Sequence, residues 1–149
     1  MPDANPRVLF ELFKEIGIIE QLSRALLEAQ LPDGLIAPHF AVLNHLMMRG
    51  NGAVPIDMAR AFQVPKTSMT HTLKGLAAGG YVELRHNPQD GRSKTVWLTP
   101  RGEAMRNETI GKLGPAFEDV MTALDANALV GILPKLVELR EHLDAARDT

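Results

Sequence analysis

Arg92 and Lys94 are the side chains of this sequence best suited to chemistry with a polyanion, and their neighbours say how they are presented. They lie in residues 81–102, YVELRHNPQDGRSKTVWLTPRG. A guanidinium is planar, permanently charged and able to fork onto phosphate. A cation on a projecting tip suits a phosphate backbone or a narrow minor groove. Asn87, Pro88, Asp90 and Gly91 are turn formers, and the flanking residues 81–85 and 94–98 alternate like half-buried strands. The segment is therefore expected to be a β-hairpin with a cationic tip. Ser93 and Lys94 would add backbone contacts there. Asp90 repels phosphate and has two readings: it pairs with Arg92 and holds the fork in place, or it only forms the turn. Arg85 and His86 sit at the hairpin base as weaker candidates, and Trp97 is expected in the core.

A second polar set lies upstream. Residues 55–62 and 66–78 read as two short helices joined by Gln63-Val64-Pro65. Ile56, Ala59 and Phe62 are the expected buried side of the first, and Met69, Leu73 and Leu76 of the second. Lys66, Thr67, Ser68, Thr70, His71 and Lys74 fall away from that apolar stripe. The N-terminal residues of such a second helix reach base edges in the major groove. Hydroxyls bond phosphates or bases, and threonine methyls contact thymine. Thr67, Ser68, Thr70 and His71 are thus expected near bases, and Lys66 and Lys74 on phosphates; the alternative for His71 is an ordinary surface position. Gly79-Gly80 should cap the helix with positive φ. Ala53-Val54 should form a very short strand pairing with the hairpin. Thr99-Pro100 should open the next helix. Two helices, a tight turn and a charged hairpin make a winged helix-turn-helix.

Longer helices must carry this unit. Residues 7–30 repeat apolar side chains at Leu9, Leu12, Phe13, Ile16, Ile19 and Leu22, and residues 38–48 place Phe40, Leu43, Leu46 and Met47 inward. Residues 100–123 and 126–147 are expected as two more helices. Pro115, beside Gly111 and Gly114, should kink or break the first, and Pro134 the second. Both terminal helices hold more apolar surface than one chain needs. A partner subunit would bury it; packing of the two termini within one chain is the alternative.

Asp90-Gly91-Arg92-Ser93-Lys94, preceded by Gly80-Tyr81-Val82 and followed by Leu98-Thr99-Pro100-Arg101-Gly102, resembles the wing signature of the MarR family of bacterial regulators, with no part missing. The resemblance extends over nearly the whole chain in length and helix order. It implies a homodimeric transcription factor, usually a repressor, often released from DNA by a small aromatic or phenolic ligand. It also implies a pocket between the dimer helices and the reading domain. Phe13, Phe40, His45 and Met47 are candidates to line it, with plain core positions as the alternative.

Composition agrees with a regulator. The 149 residues carry a net charge of −2. Between Pro55 and Arg101 seven Lys/Arg stand against three Asp/Glu, giving +4, while nine against fifteen give −6 elsewhere. A basic reading surface on an acidic body is the expected consequence. There is no cysteine, so neither disulfides nor a thiol redox sensor arise. No apolar run of about 18 residues suggests a membrane span, and the N-terminus lacks a signal-peptide pattern, so a cytoplasmic location is expected. A cysteine nucleophile, a glycine-rich phosphate loop and a GxSxG elbow are all missing. The five histidines have no metal-ligand spacing. No enzyme, metal or cofactor is expected.

The resulting expectation is a mainly α fold with a small β-wing: a winged helix-turn-helix at 35–99, flanked by dimerisation helices at 1–34 and 100–149. The expected partners are double-stranded DNA, a second copy of the chain and a small-molecule effector. The rival is a winged-helix module that binds an acidic protein and never reads DNA.

Overall fold

The computed structural model describes residues 5–147; the outermost residues of the two segments expected to dimerise lie outside it. The elements are α1 (Arg7–Glu28), α2 (Ala37–Arg49), α3 (Pro55–Ala61), α4 (Lys66–Ala78), β1 (Val82–His86), β2 (Lys94–Leu98), α5 (Pro100–Ala123) and α6 (Ala126–Arg147). The fold is mainly helical with one small antiparallel sheet. The chain divides into two compact units, one ending at Lys112 and the other beginning at Leu113.

In the first unit, one core is assembled from helical stripes and one sheet face. Val42, Leu43 and Leu46 of α2 meet Met58 and Ala59 of α3, Met69, Leu73 and Leu76 of α4, and Val82, Val96 and Met105. The period-two alternation of β1 and β2 brings Val82 and Val96 to the same buried side. The two strands pair from Val82 opposite Leu98 to His86 opposite Lys94. Ala53 adds the expected third strand position as a single bridge to Val96. Val96 N–H donates to the Ala53 carbonyl and Gly52 N–H to that of Val96, both at 2.9 Å.

Helix ends follow from local chemistry. Gly50 leaves α2 at φ +98. At the end of α4, Tyr81 N–H bonds the Leu76 carbonyl and Gly80 N–H that of Ala77. With Gly80 at φ +79 this is a Schellman cap. Gly79 is needed for another reason, since a β-carbon there would stand 2.7 Å from the Tyr81 ring. Thr99 caps α5 by accepting the Gly102 N–H at 3.1 Å.

Two expectations need correction. Ile56 is 56% exposed, and Met58 takes the inward position on α3. Met58, Ala59 and Phe62 share one face of this short helix, and Ile56 lies about 110° off it at 100° per residue. The helices also do not break at proline: α5 runs through Pro115 and α6 through Pro134. A proline disfavours helix partly through its ring meeting the β-carbon of the preceding residue. Before Pro115 that residue is Gly114, which has none.

Candidate nucleic-acid interface

The apolar stripe of α4 faces the core, so its opposite side is polar by geometry. Lys66, Thr67, Ser68, Thr70, His71 and Lys74 are all exposed, whereas Thr72, which falls on the core side, is buried. No side chain caps the start of α4. The first-turn amides therefore remain donors, a favourable place for an anion. The Thr70 hydroxyl donates to the Lys66 carbonyl at 3.0 Å, and the side chain stays exposed.

At the wing tip, two side-chain oxygens fold the turn in succession. Asn87 Oδ1 accepts the Gln89 N–H at 3.0 Å, and Asp90 Oδ1 accepts the Arg92 N–H at 3.0 Å. Asn87 Nδ2 donates across the loop to Ser93 Oγ at 2.9 Å, and Ser93 N–H bonds the Asp90 carbonyl at 3.1 Å. Of the two readings of Asp90, the geometry takes the turn-forming one: its carboxylate holds the backbone amide of Arg92. Among the described residues no acid pairs with the Arg92 guanidinium. Arg92 and Lys94 are exposed, while Ser93 is half-buried and committed to the turn.

The wing base carries a second cation. Arg85 donates from Nε to Glu83 at 3.0 Å, and its guanidinium lies 4.1 Å from the Trp97 ring centre. Trp97 is half-buried and donates its indole N–H to Thr95 Oγ1 at 2.8 Å. A cleft of about 360 Å³ opens beside it, lined by Arg85, His86, Gln89 and Trp97 among others.

The wing is set at its root by a close junction. Thr99 Oγ1 donates to the Gly80 carbonyl at 2.6 Å, and Thr99 N–H to that of Tyr81 at 3.2 Å. Arg101 lies 4.8 Å from the Tyr81 ring centre. A β-carbon at Gly102 would stand 2.1 Å from the Tyr81 carbonyl oxygen, so only glycine lets α5 start this close to β1.

Of the pocket candidates, Phe13 lies exposed on α1, and Phe40, His45 and Met47 lie half-buried on α2. The His45 ring meets Phe62 edge-on at 5.3 Å, and burial pushes its imidazole below the usual histidine value.

The profile of the MarR family matches residues 33–93, from the turn before α2 to the wing tip. Over these residues, well under half of its 149, the chain is similar to the MarR family. The HTH-type transcriptional repressor YetL of Bacillus subtilis is 38% identical over 50 residues, which span 34% of this chain and 30% of that repressor. A mutant MarR from E. coli, solved in complex with operator DNA, is similar with a TM-score of 0.75 at 24% identity, covering 90% of this chain and 96% of that one. Bordetella bronchiseptica BpsR, whose DNA binding is regulated by 6-hydroxynicotinic acid, aligns with a TM-score of 0.73 at 23% identity over 87% of this chain and 98% of its own.

Pattern reading passed over three supporting residues. Asn51 Oδ1 accepts the Leu98 N–H at 2.7 Å and so ties the end of β2 to the turn after α2. Arg106 of α5 donates from Nε and Nη2 to Asn44 Oδ1 of α2, at 3.2 and 3.0 Å. Glu28, at the end of α1, accepts the Ala37 N–H at the start of α2 at 2.6 Å. Each joins elements distant in sequence, and no local motif signals such a pairing. Among the described residues no single helix is long and apolar enough to cross a membrane.

Proposed function

We propose that this protein is a MarR-family regulator that binds a pseudo-palindromic promoter site as a homodimer and represses transcription until a small aromatic or phenolic ligand releases it. One observation carries the reading: the exposed polar face of α4 and the exposed Arg92, on a turn braced by Asn87 and Asp90, belong to one compact unit. Thr67, Ser68, Thr70 and His71 meet base edges, Lys66 and Lys74 meet phosphates, and Arg92 with Lys94 engages the adjacent backbone or minor groove. Asp90 serves the interface by shaping the turn.

Dimerisation is supported by apolar surface that a single chain leaves in water. On α1, Phe10 is 77% and Leu22 62% exposed; on α6, Leu133 is 62% exposed, and neither helix buries a residue. Apolar surface on this scale marks a contact between chains. The segments 1–34 and 100–149 would supply it, and two-fold symmetry then sets two half-sites about one helical turn apart. Repression is supported by the likeness to YetL. Ligand release is supported by the likeness to BpsR, with Phe13, Phe40, His45 and Met47 lining the pocket.

Selection of bound duplexes from a random library, followed by sequencing, tests this reading. A recovered pseudo-palindrome together with a dimer by sedimentation velocity supports it. Unenriched sequences at every salt concentration would favour a module for acidic protein partners.

A further inference from the structure

Gly75 is an unexpected residue in the middle of α4, because glycine is among the least favourable residues in a helix interior. The structure supplies a reason. A β-carbon at Gly75 would stand 3.2 Å from His39 Nε2, so the missing side chain makes room for the His39 ring against the recognition helix. The other ring nitrogen is also engaged. Ile36 N–H donates to His39 Nδ1 at 2.9 Å, which satisfies one of the open amides at the start of α2 as the third-position residue of a capping box does. One imidazole therefore both caps α2 and seats α4.

This arrangement accepts only the ring with a lone pair on Nδ1. An added proton there would face the Ile36 N–H, donor against donor, and the ring would have to leave. The surroundings favour the neutral ring as well. Burial pushes the His39 imidazole below its ordinary value of 6.5, and the charge of His71, one turn earlier on α4, acts in the same direction. The Ile36 backbone field pulls the other way, yet its N–H at hydrogen-bond distance still admits only the unprotonated nitrogen. On the elements packed around it, Glu28 of α1 is bonded to the Ala37 amide, two residues before His39, and the exposed Lys74 precedes Gly75 on α4.

We infer that His39 is a positioning residue for the recognition helix, and that a proton on its Nδ1 unseats α4 and weakens DNA binding. The effect on affinity rests on the DNA-binding reading above; the joint itself does not. The sign follows from linkage. The seated state binds the proton less well than the released state, so seating is complete above the ordinary histidine value and is lost as pH falls below it. One proton limits the loss to about tenfold per pH unit.

The test compares DNA affinity between pH 7.5 and 5.5 in a background of His71→Gln and His86→Gln, which removes two imidazoles that would attract phosphate when charged. Adding His39→Gln keeps an acceptor at the capping position but removes the titration. The background protein is expected to lose affinity by about fivefold or more across this range, and the His39→Gln protein is expected to lose less than half as much on a logarithmic scale. Equal losses would overturn the effect on DNA. In the free full-length protein, the amide signals of Ile36 and Gly75 should shift together with the His39 ring as pH falls. A Gly75 amide that stays still while the ring titrates would overturn the joint. No binding at any pH would refute the DNA reading and the affinity effect with it, while the amide titration still decides the joint.

Discussion

Substituting alanine at two glycines of α5 should have opposite effects. At Gly102 the new methyl would meet the Tyr81 carbonyl oxygen at 2.1 Å, the Leu98 Cδ1 at 2.8 Å and the Tyr81 carbonyl carbon at 3.0 Å. Two of these three atoms are backbone, so no rotamer change relieves the contact. Overpacking a filled site costs roughly 1–3 kcal/mol, and backbone contacts place Gly102→Ala at about 3 kcal/mol or above. At Gly111 nothing lies within 4 Å, so Gly111→Ala should stabilise the helix by about 0.5–1 kcal/mol. For a chain of this size about 2–4 °C in Tm corresponds to 1 kcal/mol. The expectation is a fall of roughly 6–12 °C for Gly102→Ala and a rise of roughly 1–4 °C for Gly111→Ala. Circular dichroism melts at one fixed protein concentration measure both, since association would shift Tm with concentration. Because the clash lies where the wing meets α5, the Gly102 variant should also bind DNA more weakly below its melting temperature. Equal Tm values for the two variants would refute the argument that the glycine at 102 is required by the junction.

Other outcomes follow from the same geometry. Arg92→Ala should weaken DNA binding by about tenfold or more, the worth of a charge-assisted contact, in an anisotropy titration at moderate salt; unchanged affinity would remove the wing from the interface. Lys74→Ala should weaken binding to all sequences alike and lower the salt slope by about 1; a loss confined to one operator would contradict its phosphate role. Thr99→Ala removes the oxygen that accepts the Gly102 N–H and donates to the Gly80 carbonyl. It should destabilise the fold by about 1 kcal/mol in urea unfolding, and an unaffected midpoint would contradict the cap.

Much of the reading unit was legible in the sequence because its signals are local. The bounds of α4 and β2 follow from Pro65, from the spacing of Met69, Leu73 and Leu76, and from the alternation of Lys94 to Leu98. The positive φ at Gly80 follows from the paired glycines. What was not legible depends on distance or on small angular offsets. Ile56 was placed inward because helical periodicity over seven residues is too short to fix a phase. Of the kink or break expected at Pro115 and Pro134, no break occurred, because proline propensity is only a prior that context overrides. Asp90 kept two readings until the turn itself showed its carboxylate on the Arg92 amide. Asn51, Arg106 and Glu28 act across 9 to 62 residues of chain, which no motif records. The role of Gly75 emerges only with the His39 ring in place.

The most direct test of DNA recognition by α4 and the wing is fluorescence anisotropy of the protein with the duplex upstream of its own gene, beside a random duplex and across a salt titration. The account predicts tight binding to the upstream duplex that survives competitor DNA, fits two protomers per site and weakens steeply with salt. Absence of binding to either duplex, even at low salt, would contradict it.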